Sequence, residues 1–352
     1  MEFKRTIFIL AYVLTLLSSD ILNADQTLDK DHCTPVDVSS QLGAVRDQGN
    51  IGWCYANVAA DLLTFRYQDR LSGQQASAGY VAITFNQYAN TKPNEDAGLI
   101  SPAAIFSQLN GICPQSFQDT ALKDSPFKTI RDQINALVSL KETFDQRKKE
   151  RLEFSRFQEL EMYRSSKSYI NLLSDDDLRD VLEHSSVRTF PRKLVERLCK
   201  PYMIKVKFDL QIRPQLGFIE GVKDFLPSLL KNRKITPAPI LGRANLVNDI
   251  HEQLGKDNFV AFSYWTRIFY DPTSERYKKS GMHASGIVGR KWNNKEKVCE
   301  FKLRNSWGKS CTSYTNPELK GKCDPQTGYI MVPDYIIQRT ITDVSYYKKK
   351  KE

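Results

Sequence analysis

The chain has 352 residues, of which 41% are hydrophobic and 26% are charged, a composition typical of a soluble globular protein rather than of a disordered or fibrous one. This length allows one large domain or two smaller ones. The formal net charge of +10 indicates a basic surface that favours acidic partners such as anionic cell-envelope polymers, but no nucleic-acid-binding motif accompanies it, so we expect no specific nucleic-acid partner.

Residues 1–24 have the layout of a secretory signal peptide. Lys4 and Arg5 precede an apolar run over residues 6–17, which is too short to span a bilayer comfortably. Ala24 suits the position before cleavage, whereas Leu22 is a mediocre residue two positions earlier. An uncleaved membrane anchor is therefore the alternative to a signal peptide. We expect a secreted or periplasmic protein.

Residues 33–117 are predicted to be mainly helical around Cys54. Val58, Leu62 and Phe65 follow Cys54 at helical spacing, so we expect an amphipathic helix to begin near the thiol. A thiol at a helix N-terminus lies close to the positive end of the helix dipole, which favours the thiolate. A later helix is predicted over residues 101–109, because a Ser-Pro pair commonly starts a helix.

Residues 118–235 form a separate, highly charged segment that we call the insertion. Ile134, Leu137 and Leu140 recur at helical spacing within a stretch rich in Lys, Glu, Arg and Gln. This pattern predicts long, solvated helices that cover part of the body rather than a second enzyme. The insertion either packs as a helical cap that limits access to a functional site or is a decoration far from that site.

Residues 236–345 are predicted to be rich in strands. An amphipathic helix over residues 244–254 precedes predicted strands over residues 259–264, 284–289, 297–303 and 328–332. Two short segments in this part carry chemistry: residues 281–284 supply His283 as a base, and residues 303–308 supply Asn305 as an amide that could orient the base. Residues 346–352 form a basic tail, typical of a solvated chain end.

The chain has seven cysteines, and an odd number in an exported protein leaves one thiol free, for which Cys54 is the natural candidate. Cys311 and Cys323 flank a loop that contains Asn316, Pro317 and Gly321, so this pairing is the first we predict. The other connectivity stays open, and several of the cysteines could instead be buried thiols. The six that could form three bridges are Cys33, Cys113, Cys199, Cys299, Cys311 and Cys323.

In their order and local context, three segments resemble the papain-like cysteine peptidases. Gln48 and Gly49 match the family motif ahead of Cys54, His283 precedes a small and apolar run, and residues 305–308 match the family's Asn-Ser-Trp-Gly motif in full. The resemblance covers about residues 33–115 and 236–340. It implies an α+β fold of two lobes, a helical left lobe and a β-barrel-like right lobe, with the insertion between them.

The resemblance also implies a role for each matching residue. Cys54 would be the nucleophile, His283 the acid and base, and Asn305 the group that fixes the imidazole. The side-chain amide of Gln48 and the backbone N–H of Cys54 would form the oxyanion hole, and Trp307 would shield the bond between histidine and asparagine from water. The thiol pKa is then expected to be strongly depressed by the imidazolium.

Two features could alter this site. Trp53 stands where the family has a small serine, so we expect it to crowd the cleft beside the thiol and to affect substrate choice. Asp271 is the rival to Asn305 as the group that orients His283, although Asn305 lies in the more specific motif.

The substrate-binding residues are implied by position. Gly98 would bind the substrate backbone, and Leu99, Ile100, Gly281 and Ala284 would lie near the pocket for the residue two positions before the cut. These side chains are apolar or small. We therefore predict a preference for hydrophobic residues in that pocket.

Together, these patterns predict a secreted cysteine peptidase that hydrolyses peptide bonds through a Cys54 thioester, with a protein or peptide substrate, without a cofactor or metal, and as a monomer. The alternative is an acyl transferase or a narrow-specificity amide hydrolase that uses the same three groups. A binding protein on a degenerate peptidase scaffold would lack one of these groups, and Cys54, His283 and Asn305 are all present.

Overall fold

The computed structural model describes residues 29–49, 51–89, 92, 95–96, 98–116, 130–149, 174–184, 199, 203–206, 210–214 and 242–347. The predicted signal peptide, most of the insertion and the lysine run of the basic tail lie outside these residues. Within the described ranges, no helix combines the length and the apolar character that a bilayer span requires.

Along the chain, the described elements are first mainly helices, then the helices and the strand of the insertion, and then mainly strands. The helices are α1 (Cys54–Arg66), α2 (Ala78–Tyr88), α3 (Ile100–Asn110), α4 (Ile130–Lys149), α5 (Asp175–His184), α6 (Arg243–Leu254), α7 (Glu275–Lys278) and α8 (Asp334–Gln338). The strands are β1 (Val36–Asp37), β2 (Leu210–Pro214), β3 (Val260–Trp265), β4 (Met282–Asn293), β5 (Val298–Arg304), β6 (Tyr329–Pro333) and β7 (Ile341–Tyr347).

The described strands form one seven-stranded antiparallel sheet in the order β2-β7-β3-β4-β5-β6, and β1 pairs with β4 outside this path. Helices packed on an antiparallel sheet confirm the predicted α+β class. No pairing among the described strands joins β2 to β6, so closure into a barrel-like lobe remains a prediction.

The sheet is covered on both faces because its strands alternate two sets of apolar side chains. On β3, Ala261 packs in one core with residues of α1, α2 and α3. Val260 and Phe262 pack in a second core with residues of α6 and α8 on the other face. The helical half of the chain therefore lies against the face opposite α6 and α8.

Helix α1 is buried from Tyr55 to Thr64 rather than having one solvent face. The prediction of a helix that begins at the thiol is confirmed, but its amphipathic character is wrong, because α1 lies between α2, α3 and β4. Its polar side chains are satisfied inside the protein: Asn57 donates to the carbonyl of Trp53 at 2.9 Å, and Asp61 accepts from two arginines.

The described parts of the insertion pack onto the body. Ile134, Leu137 and Val138 of α4 belong to the same core as α1, α2 and α3. Strand β2 extends the sheet by pairing with β7. The insertion thus contacts both halves of the chain, and its two interpretations, a cap that limits access to the site and a decoration far from it, both remain predictions.

Three disulfides join distant parts of the chain: Cys33–Cys299, Cys113–Cys199 and Cys311–Cys323. The last of these confirms the pairing predicted from the loop it closes. Cys113–Cys199 attaches the insertion to the end of the helical half. All seven cysteines fall within the described residues, and Cys54 is the free one.

Candidate active site

Cys54 is the first residue of α1 and lies where this helix meets β4. It is half-buried, and the backbone N–H of Ala284 on β4 lowers the pKa of its thiol, although burial outweighs this effect. Ala284 directly follows His283 on the same strand. The fold thus brings the predicted nucleophile from one half of the chain to the strand that carries the predicted base.

His283 is held by the predicted orienting amide. Its Nε2 lies 2.8 Å from Oδ1 of Asn305, and since a carbonyl oxygen can only accept, Nε2 carries the proton. The other ring nitrogen, Nδ1, is then unprotonated and available as a base. The ring of Tyr264 meets the imidazole edge-on, with centroids 5.6 Å apart.

Asn305 is fully buried, and its amide is fixed at both ends. Its Oδ1 also accepts from the hydroxyl of Ser285 at 3.3 Å, while its Nδ2 donates to the hydroxyl of Tyr314 at 3.1 Å. The asparagine therefore cannot flip without the loss of these contacts. Trp307 packs beside the imidazole at a centroid distance of 5.0 Å, next to the bond it was predicted to shield.

Gln48 is held in place by two contacts of its side-chain amide. Its Nε2 donates to the carbonyl of Ile51 at 2.6 Å, and its Oε1 accepts from the hydroxyl of Ser306. A primary amide has two N–H donors, so the contact with Ile51 leaves a second N–H for an oxyanion. Ser306 was not singled out from the sequence, although it lies inside the motif that contains Asn305.

The electrostatics of the pair differ from the prediction. Burial raises the pKa of the Cys54 thiol, although nearby backbone N–H groups oppose the rise. Burial likewise lowers the pKa of His283 to about 4, although the bond to Asn305 opposes the fall. The direction of the thiol pKa is therefore opposite to the predicted depression, because desolvation outweighs the nearby backbone N–H groups.

The rival orienter of His283 is engaged elsewhere. Asp271 accepts from the backbone N–H of Thr273 at 2.8 Å and from its hydroxyl at 2.6 Å. These contacts close a local turn after β3. Asn305 rather than Asp271 is the group that meets the imidazole.

The five residues predicted to bind substrate come from both halves of the chain. Gly98 lies against the ring of Tyr55, the residue after the nucleophile, so closely that an added Cβ would be 2.5 Å from the ring. Leu99 and Ile100 follow it at the start of α3. Gly281 precedes β4 and Ala284 lies within it. Their role in binding remains a prediction.

Trp53 does not stand free in a cleft. It is buried in the core of the helical half, and its indole N–H donates to the carbonyl of Glu95 at 2.9 Å. The predicted crowding beside the thiol is therefore wrong, because the ring turns inward and attaches the loop before α3 to the start of α1.

His251 is a second buried histidine. It contacts Asp334 at 3.3 Å and the guanidinium of Arg290 at 3.3 Å. His251, Asp334 and Cys299 come close enough to suggest three metal ligands, but the sulfur of Cys299 is bonded to Cys33. The chemistry of this group fits a structural ion network rather than a metal centre.

Several solved structures resemble the chain at low sequence identity. PepW from Lactobacillus rhamnosis shares 13% identity at a TM-score of 0.47, over 94% of this chain and 84% of that one. Procathepsin L 3 from the larval midgut of Tenebrio molitor shares 13% at 0.44, over 93% and 76%. Xylellain, a cysteine protease from Xylella fastidiosa, shares 16% at 0.41, over 90% and 86%. No family model matches the chain, and no curated protein matches it.

Proposed function

We propose that the chain is a papain-like cysteine peptidase that hydrolyses peptide bonds through an acyl-enzyme on Cys54. The observation that carries this proposal is the hydrogen bond between His283 and Asn305, which is 2.8 Å long. His283 lies on β4, the strand that packs against the helix α1 that begins with Cys54. A buried imidazole that is oriented by an amide beside a free thiol is the arrangement that acyl transfer requires.

The first step is the transfer of the thiol proton. Nδ1 of His283 takes the proton from Cys54 as the sulfur attacks the carbonyl carbon of the substrate. The transfer gives the sulfur the thiolate character that makes it a nucleophile. The imidazolium that forms keeps its Nε2–H bond to Asn305, which stabilises the positive charge inside the protein.

The oxygen of the attacked carbonyl becomes an oxyanion. The free N–H of the Gln48 amide and the backbone N–H of Cys54 would donate to it. The imidazolium of His283 then gives its proton to the leaving amine, the C–N bond breaks, and the acyl group remains on sulfur as a thioester.

Water completes the cycle. Neutral His283 takes a proton from a water molecule, the hydroxide formed attacks the thioester carbon, and the C–S bond breaks. The proton returns to the departing sulfur, so Cys54 and His283 regain their initial states. We further propose that the protein acts outside the cytoplasm, which is supported by three disulfides and by the signal-like sequence of residues 1–24.

Hydrolysis of casein by the wild-type chain and by Cys54→Ala tests this function, with a thiol-directed epoxide as inhibitor. We expect the wild type to cleave casein, the epoxide to stop cleavage, and Cys54→Ala to be inactive with an unchanged circular dichroism spectrum. Activity of Cys54→Ala equal to that of the wild type would contradict the proposal. Inert casein together with turnover of an amine acceptor or of a peptidoglycan amide would favour the acyl transferase or narrow amide hydrolase.

A further inference from the structure

His283 of the proposed site lies on β4, and the other groups come from three further segments. Helix α1 begins with Cys54, the loop before α1 contains Gln48, and Asn305 directly follows β5. Each of these three segments also contributes one charged residue to a single buried ion cluster. These residues are Asp61 on α1, Arg46 two positions before Gln48, and Arg304 at the end of β5. We call them the Asp61 cluster.

The carboxylate of Asp61 is shared between the two arginines. Nε of Arg46 donates to Oδ1 at 2.8 Å, and Nε of Arg304 donates to Oδ2 at 2.8 Å. The side chain of Asp61 is 5% exposed and that of Arg304 is 1% exposed. Although burial would raise the pKa of Asp61, the two guanidinium groups hold it below its usual value, so the carboxylate is ionised.

The arginines also bind the backbone around the site. Arg304 donates to the carbonyl of Gly43 at 2.9 Å and also to that of Ala44. Arg46 donates to the carbonyl of Ala76 at 2.8 Å. Each guanidinium therefore joins Asp61 to a further segment, and the planar shape of the group fixes the angle between them.

The segments that hold the two arginines are paired with each other. The backbone N–H of Gln48 donates to the carbonyl of Ser306 at 2.8 Å, and that of Gly308 donates to the carbonyl of Arg46 at 3.0 Å. A shift of either arginine would therefore displace the Gln48 amide or the Asn305 amide relative to α1.

Stability alone does not account for this arrangement. Burial of charges carries a large desolvation cost, and apolar side chains in the same place are often equally stabilising. What the cluster adds is orientation, because its three members come from three of the four segments whose relative placement the proposed reaction requires.

We propose that Asp61, Arg46 and Arg304 are positioning residues that set the register of α1, the Gln48 loop and the Asn305 segment. This inference rests on the proposed function. Arg304 acts on the side of His283, because it adjoins Asn305. Arg46 acts on the side of the oxyanion, because it adjoins Gln48.

The test uses Arg304→Lys and Arg46→Lys, which keep the charge and lose the planar fork. Glu300→Gln is the matched control. Glu300 lies on the same strand, β5, and its buried ion pair is with Lys322 rather than with a residue of α1. For each protein, kcat per titrated thiol, KM, and the rate of Cys54 alkylation by iodoacetamide are measured.

We expect Arg304→Lys to lower both kcat and the alkylation rate by tenfold to a hundredfold, the order of loss that displacements of about 1 Å produce. Arg46→Lys should lower kcat to a similar extent while alkylation stays at the wild-type rate. KM should change little in both variants. Glu300→Gln should change only the fraction of the protein whose Cys54 thiol can be titrated, because its effect is on folding.

The proposal is overturned if both arginine variants have the wild-type kcat per titrated thiol and the wild-type alkylation rate. Their only defect would then be a smaller folded fraction, as in the control. If the wild type cleaves no peptide at all, the proposed function fails, but alkylation still decides the present inference. Slower alkylation in Arg304→Lys alone then supports it, and equal rates in all four proteins contradict it.

Discussion

The buried imidazole predicts a specific dependence of stability on pH. His283 has a pKa of about 4 in the folded chain against an ordinary value of 6.5. Above pH 6.5 the residue is neutral in both the folded and the unfolded states and has no effect. Below pH 6.5 the imidazole of His283 binds a proton in the unfolded chain, whereas in the folded chain it stays neutral down to about pH 4. Acid therefore favours unfolding.

The size of the effect follows from that interval. Each pH unit between the two pKa values lowers the free energy of unfolding by about 1.4 kcal/mol. The loss from pH 6.5 to pH 4 is therefore about 3 kcal/mol. Asp343 acts with the opposite sign, because burial raises its pKa to about 6 and its folded form gains stability as pH falls. The wild type alone would thus hide much of the contribution of His283.

A comparison with His283→Gln isolates this contribution. Glutamine can still donate to Asn305 but cannot titrate, and Asp343 is present in both proteins. Urea unfolding at pH 7 and pH 4 should show that the wild type loses about 3 kcal/mol more than the variant. Parallel behaviour of the two proteins would mean that the imidazole keeps its ordinary pKa. Greater loss by the variant would mean that the folded chain binds this proton more tightly than the unfolded chain, which would contradict the lowered pKa of His283.

Two further changes test other parts of the site. Gln48→Ala should lower kcat by about 10²–10³-fold by removing an oxyanion donor, with alkylation of Cys54 unchanged; slow alkylation would assign the glutamine to thiol activation instead. Gly98→Ala places a Cβ 2.5 Å from the ring of Tyr55, so thermal unfolding should show a loss of about 1–3 kcal/mol. Gly281→Ala is its control, since nothing lies within 4 Å of the added Cβ, and equal losses in both would contradict the contact.

Local patterns were sufficient to predict the elements that carry the site. The helix that begins at Cys54 and the strand that carries His283 lie where the sequence predicts them, and the short Cys311–Cys323 loop predicts its own disulfide. Helix α2 was covered only by the general prediction of a mainly helical segment, and its own sequence is rich in β-branched and aromatic residues that are typical of strands. Its helical start depends on Ser77, whose side chain accepts from the N–H of Tyr80.

The remaining features depend on contacts between residues far apart in the chain. Asp61 was not singled out from the sequence, and its partner Arg304 is 243 positions away. The direction of the Cys54 pKa likewise depends on how deeply the thiol is packed, which helical periodicity does not report. Strand β7 was not predicted, because its polar residues are not typical of a buried strand, yet Asp343 and Ser345 lie in the interior.

The thioester on Cys54 is the central claim, and it can be observed directly. Rapid acid quenching of the wild-type chain during turnover of an activated peptide ester, followed by intact-mass and peptide-mapping mass spectrometry, measures the acyl adduct. The account predicts an added mass equal to the acyl group, located on Cys54, released by hydroxylamine and absent from Cys54→Ala. Hydrolysis of the ester without any adduct on Cys54, or with the adduct on another residue, would contradict it.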